Sequence, residues 1–243
     1  MKKRSKYYAT CLCAALLGSL LTVSAVCAEG KKEAAVLTGV EISTEELKQI
    51  LLAGTMPVID VRPDMEYAIS HIPGSVNVFE TEIEQMTKLL LDRSSGPVLY
   101  CNGPLCHKSA RVAEKLSAKG YTNIKRYQAG LPVWRALGNT VETNLAAIKR
   151  IFSLDKTAVF VDARSNGLFK AGSLPGAVNL QVSDVEAANK DGRLPYTDHG
   201  TRIIVFGGSV QEARQLAEVL AQRAYWNSSY VAGTYDDLRK AGF

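Results

Sequence analysis

The chain has 243 residues, 47% of them apolar and 22% charged, with a formal net charge of +5. That is an ordinary globular composition, long enough for one large or two small domains. The positive charge sits at the start: Lys2, Lys3, Arg4 and Lys6 meet no acid before Glu29, so the remainder carries +1 and nucleic-acid binding loses its support.

Residues 1–28 read as a secretory signal peptide, with a basic start, an apolar core from Cys11 to Val26 and the small-residue exit Val26-Cys27-Ala28. The apolar segment is short for a membrane span and no second one follows it. Export, to the periplasm or an equivalent compartment, is the expectation. A lipid anchor at Cys27 is the lesser alternative, because Val26 is bulky for the position before a lipid-modified cysteine. Residues 29–38 read as a solvated linker. Of the five cysteines, only Cys101 and Cys106 lie beyond the leader.

Strand and helix signals then alternate. Thr44 to Leu52 reads as a helix with Thr44 as its N-cap, Pro57 to Val61 as a buried strand, and Ser75 to Val78 as a short strand. Glu80 to Leu91 reads as a helix, Val98 to Cys101 as a strand, Ser109 to Lys119 as a helix, and Asn123 to Arg126 as a strand. Farther on, Ala158 to Asp162, Ile203 to Phe206 and Ser228 to Val231 supply strands, and Val210 to Arg223 a helix. Such alternation predicts an α/β fold with mainly parallel sheets flanked by helices.

An internal repeat divides the chain. Asp60-Val61-Arg62 returns as Asp162-Ala163-Arg164, and Ile72-Pro73-Gly74-Ser75-Val76-Asn77 as Leu174-Pro175-Gly176-Ala177-Val178-Asn179, both 102 positions on; Tyr127-Gln128-Ala129-Gly130 returns as Tyr230-Val231-Ala232-Gly233. A period near one hundred residues is too long for a solenoid, so the copies are two domains, expected at 39–143 and 144–243.

Cys101 ends an apolar strand and begins the loop Asn102-Gly103-Pro104-Leu105-Cys106-His107-Lys108 ahead of a helix. A thiol placed between loop N–H groups and a helix N-terminus is favoured as the thiolate, which makes Cys101 the nucleophile candidate. The aligned strand of the second copy puts Gly207 opposite Cys101, Ser173 opposite His71 and Leu168 opposite Glu66. Glycine forms no covalent sulfur intermediate, so the second domain is expected to be catalytically silent. Counting to Ala110 and to Ala213 gives the first loop three extra residues.

Asp60-Val61-Arg62, Glu66-Tyr67, His71-Ile72-Pro73-Gly74-Ser75, the strand-borne Cys101 and Gly130-Leu131-Pro132-Val133-Trp134, in that order, resemble a rhodanese domain. The likeness, to a tandem rhodanese-like sulfurtransferase, covers about residues 39–243. It implies transfer of sulfane sulfur from thiosulfate or polysulfide to a thiol or other thiophilic acceptor, small molecule or protein, through a persulfide on Cys101, without a cofactor. In the better-known two-domain members the active cysteine is in the C-terminal domain; here the order is reversed. An anionic intermediate is best held by N–H donors in a loop at a helix N-terminus, so substrate contacts are expected from Asn102, Gly103, Pro104, Leu105, His107 and Lys108, with Lys108 and Arg111 adding positive charge. Arg62 is expected either to pair with Asp60 and hold the loop or to face substrate. Related phosphatases end a longer loop in Cys-x5-Arg; His107 stands at that position, and Lys108 lacks arginine's bidentate fork, which argues against phosphoryl transfer.

Cys106 has three readings: a small apolar side chain of the loop, a disulfide partner of Cys101, or a resolving thiol that attacks the oxidised or persulfidated Cys101. With no further cysteine beyond the leader, a thiolate metal site is not expected. The rival functions are thiol-disulfide chemistry through Cys101 and Cys106, and a partner-binding module of the cell envelope. His71, Pro73 and Gly74 are expected to fix a turn and Trp134 to wall the loop.

Overall fold

The computed structural model describes residues 39–94 and 96–243; the expectations for the leader and linker lie outside the described residues. The first repeat runs β1 (Val40–Glu41), α1 (Thr44–Ala53), β2 (Val58–Asp60), α2 (Asp64–Ile69), β3 (Val76–Asn77), α3 (Ile83–Leu89), β4 (Val98–Tyr100), α4 (Lys108–Ala118), β5 (Lys125–Tyr127) and α5 (Gly130–Ala136). The second runs β6 (Val141–Thr143), α6 (Leu145–Leu154), β7 (Val159–Asp162), α7 (Asn166–Ala171), β8 (Val178–Asn179), a 3-10 turn at Val182–Asp184, α8 (Val185–Asp191), β9 (Ile203–Phe206), α9 (Val210–Gln222), β10 (Ser228–Val231) and α10 (Tyr235–Lys240). Each repeat builds one five-stranded parallel sheet, in the orders β1-β5-β4-β2-β3 and β6-β10-β9-β7-β8.

Helices cover both faces of each sheet, which is why the central strands read as continuous apolar runs. In the first repeat Ile59 and Leu99 join the core beneath α3 and α4, while Val58, Val98 and Tyr100 point the other way, toward α1 and α5. Alternation along the strand thus feeds two cores, and each fully buried aliphatic side chain contributes about 1.5–3 kcal/mol.

Two expected positions shift. The N-cap of α1 is Ser43, whose hydroxyl accepts from Glu46 N–H at 3.1 Å, while Thr44 is the first helical residue and its Oγ1 lies 2.8 Å from the Tyr127 hydroxyl. The boundary expected between residues 143 and 144 moves forward, because β6 pairs with β10 and is therefore an edge strand of the second sheet.

The repeats pack into one compact unit. His71 and Glu142 exchange backbone hydrogen bonds of 3.0 Å each, Asn144 N–H donates to Ala68 O at 2.8 Å, and Thr143 Oγ1 donates to Ile69 O at 2.9 Å. Ala68 and Ile69 of α2 pack against the core formed around α6. Among the described residues no helix is long and apolar enough to cross a membrane.

Candidate active site

Cys101 follows the last residue of β4, in the middle of the first sheet, and is 2% exposed. Pairing of Asp60 with Tyr100 and of Asp162 with Phe206 sets Gly207 opposite Cys101 in the second repeat. The helices give a different count for the loop. The buried face Ser109, Val112, Ala113, Leu116 of α4 matches Ala213, Leu216, Ala217, Leu220 of α9. Eight positions separate Cys101 from Ser109 and six separate Gly207 from Ala213, so the first loop has two extra residues rather than three. Sequence alignment on the alanines alone missed the helical register by one.

Cys101 and Cys106 are joined in a disulfide, with their Cα atoms 6.4 Å apart. Cys101 Sγ also lies 3.4 Å from the Cys106 carbonyl oxygen and 3.9 Å from the buried Ser109 hydroxyl. Cys106 N–H closes a turn on Gly103 O at 2.9 Å. Leu131 N–H, in the first turn of α5, donates to Cys101 O at 3.2 Å and ties the loop from the other side.

The remaining predicted residues divide sharply. Asn102 is held by two side chains: its amide donates to Glu66 Oε2 at 2.7 Å and its carbonyl accepts from Arg62 Nη1 at 3.3 Å. Pro104, Leu105 and His107 are exposed, Leu105 at 91%, and His107 occupies the N-cap of α4 without capping it. Lys108 does not face the sulfur; it lies 3.9 Å from Glu80 and over the Phe79 ring, and Arg111 pairs with the same Glu80 at 2.7 Å. The extra positive charge expected from these two residues is therefore directed at Glu80.

Arg62 is buried and bound to protein on every side. Its Nε and Nη2 grip both Asp60 oxygens at 2.6–3.0 Å, Nη2 also donates to Ser70 O at 2.7 Å, and Nη1 reaches Asn102. Burial opposes its charge, but the Asp60 contacts outweigh that and raise its pKa. Of the two roles expected for it, the geometry is that of the ion pair that positions the loop. Arg164 and Asp162 repeat the arrangement, with Ser173 Oγ donating to Asp162 at 2.6 Å in place of a histidine.

Three contributors escaped the sequence reading. Gln128 Nε2 donates to Pro104 O at 2.8 Å and Cys106 O at 3.2 Å, while its Oε1 accepts from Arg126 at 2.7 Å. The strand register sets Ala232, not Val231, opposite Gln128, so the repeat of Tyr127 at Tyr230 is one residue out of step and the second loop lacks this amide. Ser109 lies under the sulfur, and Gly130, at φ 64°, presses its Cα side against the loop backbone. In the second repeat Glu212 fills the corresponding loop. Its Oε2 accepts from Gly208 N–H at 2.7 Å and lies 2.8 Å from where a Cβ on residue 207 would stand.

Two parallel sheets of one topology, with one cysteine-bearing loop between a central strand and a helix, define a tandem sulfurtransferase-type fold. The profile of the Rhodanese-like domain matches residues 43–137 and 146–241, and the chain belongs to that family. It is 28% identical over 247 aligned residues to the putative thiosulfate sulfurtransferase SseB of Mycobacterium tuberculosis, covering 74% of this chain and 87% of that protein. It is 33% identical over 102 residues, 42% of this chain, to the HTH-type transcriptional regulator Rv0324 of the same species. It is 30% identical over 109 residues, 39% of this chain, to the adenylyltransferase and sulfurtransferase MOCS3 of Arabidopsis thaliana. The chain spans less than half the length of the latter two, 44% and 24%. Among solved structures, thiosulfate sulfurtransferase from Pseudomonas aeruginosa aligns over 84% of this chain and 42% of its own, with TM-score 0.40 and 18% identity.

Proposed function

We propose that the protein is an exported sulfurtransferase that carries sulfane sulfur on Cys101. The observation that carries this reading is the position of Cys101 itself: at the end of the central strand of a rhodanese-like sheet, in a loop leading to a helix N-terminus, with glycine at the equivalent site of the other repeat. Among the described residues the N–H groups of Asn102, Gly103, Leu105 and His107 make no hydrogen bond, which leaves them for an anionic sulfur species.

With thiosulfate, the Cys101 thiolate attacks the outer sulfur, the S–S bond breaks and sulfite leaves. An acceptor thiolate then attacks the outer sulfur of the Cys101 persulfide, and Cys101 departs as the thiolate. The disulfide with Cys106 is the oxidised resting form, which two equivalents of a monothiol reduce. Thiosulfate as donor is supported by the likeness to the putative thiosulfate sulfurtransferase SseB, and export by the leader pattern of residues 1–28. The self-filled second loop supports a silent second domain.

The bonded cysteine pair favours a second reading, in which Cys106 resolves the persulfide. Its thiolate attacks Cys101 Sγ, hydrosulfide leaves and the disulfide forms. Mass spectrometry of the reduced, full-length protein after exposure to thiosulfate or polysulfide separates the two. A gain of about 32 Da, one sulfur atom, on the Cys101 peptide supports sulfur transfer. Turnover kept in Cys106→Ser supports simple transfer, and turnover lost there supports resolution. No gain on Cys101 with either donor in Cys106→Ser, where no resolving thiol can discharge the persulfide, overturns both.

A further inference from the structure

Arg126 of β5 carries a buried charge that no carboxylate meets. It is 6% exposed, its Nη1 donates to the neutral Gln128 Oε1 at 2.7 Å, and its buried Nε has no hydrogen-bond partner among the described residues. A guanidinium in that state is costly to bury unless an anion comes to it. Strand alternation fixes the side it lies on. Ile124, two residues earlier, joins the core beneath α3 and α4, as Cys101 does, while Tyr127 points toward α1 and α5. Arg126 is thus on the sulfur's side of the sheet. A chain of polar contacts connects the two: Gln128 Oε1 lies 3.5 Å from Ser109 Oγ, and Ser109 Oγ lies 3.9 Å from Cys101 Sγ. The other charged groups round the loop are engaged elsewhere. Arg62 is held by Asp60, Lys108 and Arg111 are turned to Glu80, Glu66 accepts from Asn102, and His107 is exposed.

We propose that Arg126 is the counter-cation of the Cys101 sulfur, a positioning residue that acts through Gln128 and Ser109 and favours the thiolate over the thiol. The inference deepens the sulfurtransferase reading above and rests on its assignment of Cys101 as the nucleophile. In the disulfide Cys101 Sγ is neutral and Arg126 stands uncompensated. Reduction by a thiol, followed by loss of the Cys101 proton to solvent, creates the missing anion where the protein interior screens the attraction weakly. The Ser109 hydroxyl, which leans toward Gln128 Oε1, turns its proton to the sulfur, and Gln128 Oε1 keeps the guanidinium in place behind it. Attack on thiosulfate then expels sulfite and leaves the negative charge on the outer sulfur of the Cys101 persulfide, so the cation serves the loaded state as well as the empty one.

The test follows the Cys101 ¹³Cβ signal across pH in the reduced full chain carrying Cys106→Ser, with Cys101→Ala locating the signal. The thiol is expected to titrate about one pH unit or more below the ordinary cysteine value of about 8.5. Arg126→Met is expected to bring the titration back up by about one pH unit, and Arg126→Lys, which keeps the charge without the fork, to restore part of the lowering. Sulfur gain from thiosulfate on the Cys101 peptide is expected to slow about tenfold in Arg126→Met near pH 7 and to approach the parent rate at high pH, where both are thiolate. A merely distorted loop would not recover in that way. Titration at the ordinary value or above in the Cys106→Ser parent overturns the pairing, whether or not the Arg126 variants fold. So does an unmoved titration in Arg126→Met, or a slowing that is the same at every pH. A low titration that depends on Arg126, with no sulfur gained from any donor, overturns the sulfurtransferase reading and leaves the pairing standing.

Discussion

Gly130 and Gly103 approach so closely that a Cβ on Gly130 would stand 2.4 Å from the Gly103 nitrogen and 2.5 Å from the Cys101 carbonyl oxygen. Both obstacles are backbone, so the loop itself would have to move, and the left-handed φ of Gly130 adds strain. Gly130→Ala is expected to cost about 1–3 kcal/mol and to break the Leu131–Cys101 hydrogen bond. Thermal unfolding and the alkylation rate of reduced Cys101 check this; wild-type values for both would refute the contact.

Gln128→Ala installs the residue that the second repeat carries at Ala232. Pro104 O and Cys106 O lose their side-chain donor and buried Arg126 loses its acceptor. About 1–3 kcal/mol of stability is expected to go. Amide exchange at residues 104–106 is expected to quicken, and unchanged protection there would show that Gln128 does not hold the loop.

The two buried Asp–Arg pairs permit a controlled comparison. Arg62→Met and Arg164→Met each strand a buried carboxylate, Asp60 or Asp162, at an expected cost of about 3–5 kcal/mol. Only Arg62 reaches Asn102, so only its loss is expected to slow persulfide formation on Cys101. Equal slowing in both variants would place the effect in general destabilisation.

Restoring cysteine to the second repeat is expected to fail. In Gly207→Cys the new Cβ meets Glu212 Oε2, which also holds the Gly208 N–H. Persulfide is expected on residue 207 only when Glu212→Ala accompanies it, read by peptide mass after donor treatment. Sulfur on the single variant would show that the carboxylate moves aside freely.

Acid is expected to weaken the junction between repeats. Burial raises the Glu142 pKa, but hydrogen bonds from His71 and Tyr230 outweigh it and hold the carboxyl below its ordinary value of 4.5. The folded state therefore binds this proton less readily than the unfolded chain. Its stabilising effect is complete above the ordinary value and is lost as pH falls through the lower, folded one. Melting curves across that window are expected to fall less steeply in Glu142→Gln; an unaltered slope would remove Glu142 from the effect.

Much of this was legible in the sequence. Ile203–Phe206 is a strand at the residues expected, because a fully apolar run between turn signals leaves little choice, and Ser228–Val231, with its two serines, was located by the internal repeat. The repeat located Gly207 opposite Cys101 without coordinates. Short α2 and α5 were not assigned, since six or seven residues hold too few turns to display a helical period and their stability comes from packing. The loop's supports were hidden for another reason: Gln128 and Gly130 reach the loop only after β5 lies beside β4, and Ser109 reaches the sulfur only once α4 packs on the sheet. The destinations of Lys108 and Arg111 likewise depend on Glu80, which lies just ahead of α3.

Only residues 137–140 separate α5 from β6, a reach of at most about 14 Å, and the second sheet's edge strand is already fastened to His71. The two repeats are therefore joined both by a short covalent link and by paired backbone hydrogen bonds. A chain cut at this junction would leave two halves held to each other by the His71–Glu142, Ala68–Asn144 and Ile69–Thr143 hydrogen bonds and the apolar packing of α2 against the second core.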